Sequence, residues 1–254
     1  MPSQEIKLSR TRTVGSLAGH TAVVTGASSG IGRAVAVALA RQGVELCVVG
    51  RNPTALEDAV AVIRPLSKVK AFQIDLTIDE DLHPLIDHLQ KSSGLNVLIH
   101  CAGVIHQNLM ERARIEDFDL QYATNVRAPY LLTQRLLPLL TAARGQIVFI
   151  NSSAGLAAKR PEVSGYAATK HALRAIADSI REEVNPKGVR VLTVYLGRTA
   201  TPMQKALCHQ EGRAFRPELL LQPDDVAAMV VHALMLPASA EVTDISMRPM
   251  CKSS

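Results

Sequence analysis

Tryptophan is absent, and Phe and Tyr together make up only 3% of the 254 residues. No basic patch interleaved with aromatic rings is available to stack nucleic-acid bases, so nucleic acid is not an expected partner. No apolar run reaches the roughly 18 residues that a membrane span needs, and none is expected. The four cysteines, Cys47, Cys101, Cys208 and Cys251, include no Cys-x-x-Cys pair and read as reduced thiols. The eight histidines fall into no ligand spacing, so no metal site is expected. Charge is not blocked by sign either. The formal net charge of +5 is spread along the chain, as on a solvated surface, and helps attract a polyanionic cofactor or acyl-carrier substrate. Residues 1–16 lack the apolar stretch of a signal peptide, and Glu5 is out of place in a transit peptide. They are expected to form a flexible leader of a cytoplasmic protein, ahead of a single domain over 17–254.

What is abundant is aliphatic. Hydrophobic residues make up 47% of a chain long enough to bury about 70 to 75% of its unfolded surface. Val, Ile, Leu and Ala suit the layers between helices and a parallel sheet. Strands are expected at His20 to Thr25, Val44 to Gly50, Val69 to Ile74, Leu95 to His100, Gln146 to Asn151, Val189 to Tyr195 and Glu241 to Ser246. Helices are expected at Gly30 to Gln42, Thr54 to Arg64, Asp79 to Ser92, Asp117 to Thr141, Ser164 to Val184 and Pro223 to Leu236. Gly43, Pro53, Pro186, Gly188 and Pro223 punctuate these boundaries. Strict alternation implies an α/β, doubly wound parallel sheet of about seven strands with helices on both faces, a single Rossmann-fold domain. In such a sheet ligands sit beyond the carboxyl ends of the strands. Neither an internal repeat nor an interdomain linker is visible.

Between the first strand and the first helix lies Thr25-Gly-Ala-Ser-Ser-Gly-Ile-Gly32. A glycine turn running into a helix N-terminus is an anion site, because unpaired backbone N–H groups and the helix dipole both face the ligand. The spacing Gly-x3-Gly-x-Gly differs from the commonest dinucleotide fingerprint, yet the roles transfer: Gly26 for the turn, Gly30 for close approach, Gly32 for helix-to-sheet packing. Ser28, Ser29 and Asn52 can add hydrogen bonds to phosphates. The second strand ends Gly50-Arg51-Asn52. An acid there would repel a 2′-phosphate, whereas Arg51 supplies a fork for one, so NADP(H) is the expected cofactor.

Further along, Tyr166 and Lys170 stand four apart on an expected helix, which sets a phenol beside an ammonium. A free tyrosine titrates near pH 10, and a close cation favours its phenolate. Lowering that value by about three units takes roughly 4 kcal/mol.

With the glycine turn, these motifs appear in a fixed order: Asp75-Leu76, Ala102-Gly103, Asn125, Asn151-Ser-Ser-Ala-Gly155, Tyr166-x-x-x-Lys170, and Gly197 to Thr201. In this the chain, from about Leu17 to Pro249, resembles the short-chain dehydrogenase/reductase family. The resemblance implies hydride transfer between nicotinamide and a carbonyl or alcohol. It implies Tyr166 as general acid/base, and Lys170 as the group that depresses its pKa and bonds the nicotinamide ribose. A serine of the Asn151 to Gly155 segment would polarise the substrate oxygen, and Asn125 would hold a water linking Lys170 to solvent. Asp75 and Leu76 would border the adenine, with Ile31, Ala102, Gly103, Gly197, Thr199 and Thr201 along the rest of the cofactor.

Which serine acts is set by two competing counts. Three residues back from Gly155 selects Ser152; a gap of 13 before Tyr166 selects Ser153. Ser152 is preferred, because the strand end is fixed while the loop through Lys159-Arg-Pro161 can absorb a residue. Two departures from the family pattern stand out. His100-Cys101 replaces a pair of asparagines, whose hydrogen bonds must be remade or lost, and Leu196 precedes Gly197 where proline is usual.

The segment from Arg198 to Gln222 is expected to cover a substrate of modest size, with Leu207, Phe215 and Leu219 to Leu221 as apolar contacts. Apolar residues on the helices Asp117 to Thr141 and Ser164 to Val184, such as Tyr130, Leu131, Leu136, Leu137, Ala172 and Ile176, exceed what one sheet face covers. The resemblance pairs these helices in a homodimer or homotetramer. The alternative of a different class is a dinucleotide-binding sensor or scaffold that does no chemistry. Its relatives usually lose the Tyr or the Lys, and both are here. A dehydratase or epimerase would show no net cofactor consumption.

Overall fold

The computed structural model describes residues 15–92 and 94–250; Cys251 and residues 1–14 of the expected leader lie outside the described residues. Its seven strands are β1 (Thr21–Thr25), β2 (Glu45–Gly50), β3 (Val69–Gln73), β4 (Val97–His100), β5 (Gln146–Ser152), β6 (Arg190–Leu196) and β7 (Asp244–Met247). They form one sheet in the order β3-β2-β1-β4-β5-β6-β7, parallel throughout. The order reverses between β1 and β4, so the connections after these strands leave toward opposite faces and open a crevice at their carboxyl ends.

Alternate strand residues feed two cores, as a pleat of period two requires. Val24, Val48, Ile99, Val148 and Val194 pack under α1 (Gly30–Arg41), α2 (Pro53–Ile63) and α8 (Pro223–Leu234). Val23, Val49, Leu98, Ile147 and Phe149 pack under α3 (His83–Gln90), α5 (Ala128–Ala143) and α6 (Ser164–Val184). Gly15 donates its N–H to the Met235 carbonyl at 2.8 Å, tying the first described residue to the end of α8. Among the described residues no helix is long and apolar enough to cross a membrane.

Three elements differ from the sequence expectation, each for a local reason. The single helix expected over Asp117 to Thr141 is α4 (Ile115–Tyr122), a π-helical turn (Ala123–Arg127) and then α5. Pro129 has no N–H to give the Asn125 carbonyl four residues back, so the α-ladder cannot run through. The helix expected from Asp79 begins as a 3₁₀ turn (Glu80–Leu82) because Pro84 sits in the first turn of α3. The last strand starts at Asp244 rather than Glu241, since the Glu241 carboxylate itself accepts the Val191 N–H at 2.7 Å and replaces strand pairing there.

The departure at His100-Cys101 is accommodated by new partners. The His100 ring stacks on Phe149 with centroids 4.9 Å apart, and its Nε2 lies 2.8 Å from Thr133 Oγ1. Burial drives the His100 pKa down to about 3, so the ring is neutral core. The Thr25 hydroxyl accepts from the Cys101 and Ala102 N–H groups at 3.1 and 3.2 Å and donates to the Ile99 carbonyl. One side chain at the end of β1 thereby fixes the chain leaving β4.

Candidate active site

Two clefts meet at the carboxyl edge of the sheet. The first, of about 370 Å³, runs along the glycine turn, past Gly50, Arg51 and Asn52 to Asp75 and Leu76, and back to Ala102 and Gly103. Its floor requires glycine. Gly26 has φ +66°, and a Cβ there would lie 2.8 Å from the Ala102 Cα. A Cβ on Gly32 would come within 2.3 Å of the Gly26 carbonyl oxygen, so α1 starts as close to the turn as backbone permits. Ser29, at the N-cap of α1, makes no side-chain cap bond, leaving its hydroxyl beside the unpaired first-turn N–H groups. Such a cradle of backbone donors suits a pyrophosphate.

At the far end, Arg51 is 68% exposed, and its Nη1 is 3.9 Å from the Asp75 carboxylate. An acid is therefore near this corner, delivered by the end of β3 instead of β2. The pair is long and solvated, worth at most about 1 kcal/mol. Asp75 is otherwise engaged: its Oδ1 accepts from the Thr77 hydroxyl and N–H, which together with Arg51 hold its pKa below the usual carboxylate range. Asn52 spends its Oδ1 capping α2 through the Ala55 N–H, at 2.9 Å. Its amide nitrogen keeps the donors.

The second cleft, of about 480 Å³, holds Ser152, Tyr166 and Lys170. It shares Ile31, Gly103, Val104, Thr201 and Met203 with the first, so a ligand spanning both would run from the glycine turn to the Tyr–Lys pair. Lys170 is 5% exposed, and its Nζ donates to the Ile150 carbonyl at 3.3 Å. That Nζ lies 5.8 Å from the centre of the Tyr166 ring. The net shift of Tyr166 is upward, opposite to the depression expected from Lys170. Burial raises the Tyr166 pKa, and the hydrogen bond with Ser152 pulls it part of the way back. Burial also lowers Lys170 to about 8. Desolvation is the larger influence on both groups.

Asn151 and Gly155, read from sequence only as neighbours of the serines, lock β5 onto α6. Asn151 Nδ2 donates to the Lys170 carbonyl at 3.1 Å while its Oδ1 accepts the Ser152 N–H at 2.7 Å. A Cβ on Gly155 would sit 2.7 Å from that same carbonyl oxygen. Ser152 is thus anchored at the strand end, whereas Ser153 is exposed. In the loop that follows, Glu162 has φ +67°.

Asn125 points inward from the π-helical turn. Its Nδ2 donates to the Val104 carbonyl and to Thr169 Oγ1, and its Oδ1 accepts the Val104 N–H. Both amide protons are spent, and Pro129 has no N–H to give the Asn125 backbone carbonyl. Thr199 Oγ1 donates to the Gly197 carbonyl, and Thr201 caps α7 (Pro202–Gln210) through the Gln204 N–H. Gly197, Thr199, Thr201 and Leu207 line the second cleft. Phe215 and Leu219 to Leu221, expected there, do not: the chain turns away at Gly212, φ +62°, and Leu221 packs into the core, its carbonyl accepting the Ala200 N–H. Arg198, from the segment expected to cover the site, lines this cleft, and so do Gln107, Lys159 and Arg160, which sequence reading did not place there. No motif marks them, because they reach it from loops.

Among the described residues, no group of three or more His, Cys, Asp or Glu could hold a metal ion. A doubly wound parallel sheet with a glycine cradle at its switch point, next to a Tyr–Lys pair, defines a Rossmann-type oxidoreductase. The chain belongs to the short chain dehydrogenase family, whose model matches residues 20–212. An uncharacterized oxidoreductase of Staphylococcus epidermidis is 31% identical over 232 residues, covering 90% of this chain and 96% of its own. An alcohol dehydrogenase of the archaeon Thermococcus sibiricus, solved with 5-hydroxy-NADP, superposes with a TM-score of 0.83 at 26% identity, over 92% of this chain and 98% of that one. A putative NAD(P)-dependent gluconate 5-dehydrogenase of Beutenbergia cavernae, solved with NADP bound at low occupancy, gives 0.81 at 28% identity, over 91% and 96%.

Proposed function

We propose that this oxidoreductase interconverts carbonyl and alcohol compounds with NADP(H), using Tyr166 as the general acid in reduction and the base in oxidation. The observation that carries the reading is the continuity of the first cleft with the one that holds Ser152, Tyr166 and Lys170. Bound along the first cleft, the nicotinamide supplies or accepts the hydride. Ser152 steadies the substrate oxygen as it gains charge, and Tyr166 gives it the proton. Lys170, with no carboxylate beside it, provides the positive charge that stabilises the phenolate left behind. Val104 and Thr169 hold the Asn125 side chain, and the role proposed for Asn125 is to hold a water for proton return. Its test is NADPH oxidation against a panel of aldehydes and ketones, with the reverse reaction on the matching alcohols. Cofactor binding without turnover on any panel member would move the weight to the sensor or scaffold reading.

NADP(H) is supported by Arg51 at the open lip of the first cleft and by the NADP ligands of the two structural neighbours. Arg51→Ala is expected to raise the Michaelis constant for NADPH by about tenfold, a little over 1 kcal/mol for an exposed charge-assisted bond. NADH kinetics should barely change. Equal effects on the two cofactors would show that Arg51 reads no 2′-phosphate.

We also propose a homodimer or homotetramer formed by α4, α5 and α6. Ile115, Phe118, Tyr122 and Tyr130 are exposed there, whereas Leu136, counted toward that surplus from sequence, is fully buried against the sheet. Light scattering at micromolar concentration should return at least twice the chain mass. A cytoplasmic location suits the free thiols of Cys47, Cys101 and Cys208.

A further inference from the structure

The lining of the second cleft is unbalanced in charge. Among the described residues it includes Lys159, Arg160, Lys170 and Arg198, and no Asp or Glu. The same lining includes the apolar Leu156, Val163, Met203 and Leu207. Lys170 is accounted for by the chemistry proposed above; the two arginines are not. Both reach out of the cleft to one carboxylate, Glu211, just past the end of α7. Arg160 Nη2 is 2.8 Å from its Oε1, and Arg198 Nη2 is 3.1 Å from its Oε2. Arg213 reaches the same oxygen at 3.4 Å. Burial works against ionisation of Glu211, but Arg160 and Arg198 outweigh it and hold its pKa low. Glu211 thus sets one negative charge against the two of Arg160 and Arg198, and this pair of cleft-lining arginines keeps a positive surplus. Arg198 is only 20% exposed, so its charge is less screened than that of a surface arginine. A separate observation concerns Gln107. Its Nε2 is buried without a hydrogen-bond partner and belongs to a residue lining the same cleft. A buried donor of this kind asks for an acceptor that the protein does not supply.

We infer that the substrate carries an anionic group, carboxylate or phosphate, remote from its reacting carbon, and that Arg198, with Arg160 at the mouth, selects for it. The apolar wall takes the body of the molecule, and Gln107 donates to one of its oxygens. The inference rests on the reading of this cleft as the carbonyl site. Guanidinium forks match both carboxylate and phosphate, so the choice between them is left to the measurement.

The test compares 4-formylbenzoate with its methyl ester, and 4-formylphenyl phosphate with 4-methoxybenzaldehyde, as substrates for NADPH oxidation by the parent, Arg198→Gln and Arg198→Lys. In the parent, the charged member of at least one pair should have a kcat/KM about tenfold or more above its neutral partner, with the difference carried in KM. Whichever pair shows the larger ratio identifies the anion. That ratio should fall about tenfold in Arg198→Gln, the loss of one charge-assisted bond. Arg198→Lys keeps the charge and should hold an intermediate ratio. Neutral members preferred in both pairs, or a ratio indifferent to Arg198→Gln, overturns the inference. If none of the four aldehydes is reduced, the redox reading has failed on its own. Calorimetric titration of the same compounds into the NADP⁺-saturated protein then decides. Binding of an anion that weakens in Arg198→Gln sustains the inference, and binding that ignores charge or Arg198 removes it.

Discussion

Replacing Tyr166 by phenylalanine should leave the fold and NADPH affinity intact and lower turnover by about 10² to 10⁴-fold, the range for a lost general acid. Phenylalanine keeps the ring, and the ring supplies the packing of Tyr166 in its half-buried setting. What is lost is one hydroxyl, hydrogen-bonded to Ser152. In the free protein burial holds that hydroxyl protonated above the ordinary tyrosine value. The general acid is therefore loaded throughout the neutral range, which favours reduction. The reverse reaction needs the phenolate, so oxidation should accelerate as pH rises while reduction does not. Ser152→Ala should approach the Tyr166→Phe loss, and Ser153→Ala, on an exposed side chain, should change turnover by less than about threefold. Near-parental turnover in Tyr166→Phe, measured on a substrate the parent reduces well, would overturn the mechanism. A collapse in its urea midpoint would instead assign the hydroxyl a structural task.

The fold was legible because its signals are periodic and local. Aliphatic strands alternate with helices punctuated by Gly43, Pro53, Gly188 and Pro223, and all seven strands lie within a few residues of where the pattern puts them. The glycine turn was equally readable, since only glycine tolerates the backbone contacts found at Gly26 and Gly32. Two kinds of information were not in the pattern. One is which backbone bond a proline removes: Pro129 lies inside a well-patterned helix, yet it forces the π-helical turn that aims Asn125 inward. The other is what distant loops bring together. Asp75 approaches Arg51 from a different strand, and Arg160, Arg198 and Glu211 converge from three loops. The motif residues Tyr166 and Lys170 were correctly paired, but the sign of the Tyr166 shift was misjudged. Spacing shows that two groups are neighbours; burial decides which of their protonation states survives.

Lys170→Met should separate function from stability, abolishing one while raising the other. Lys170 is almost wholly buried, faces no carboxylate, and has its pKa lowered from 10.5 to about 8 by desolvation. Below pH 8 the lysine is charged in both folded and unfolded chains, so the cost of burying that charge is fully present. At about 1.4 kcal/mol per unit it amounts to roughly 3 kcal/mol. Methionine fills similar space without charge and loses only the bond from Nζ to the Ile150 carbonyl, worth about 1 kcal/mol. The variant should therefore unfold at higher urea, by about 2 kcal/mol at pH 7. As pH rises from 8 toward 10.5 the folded parent releases the proton while its unfolded chain keeps it, so the parent gains stability and the difference should close. Turnover should fall by at least about 10²-fold, because no cation then stabilises the Tyr166 phenolate. Urea midpoints of parent and variant at pH 7, 8, 9 and 10, read beside NADPH oxidation at pH 7, make the comparison. A variant less stable than the parent at pH 7, or a difference that does not shrink with pH, would show that Lys170 is not held as an uncompensated charge. Turnover retained in Lys170→Met would remove the lysine from the proposed chemistry.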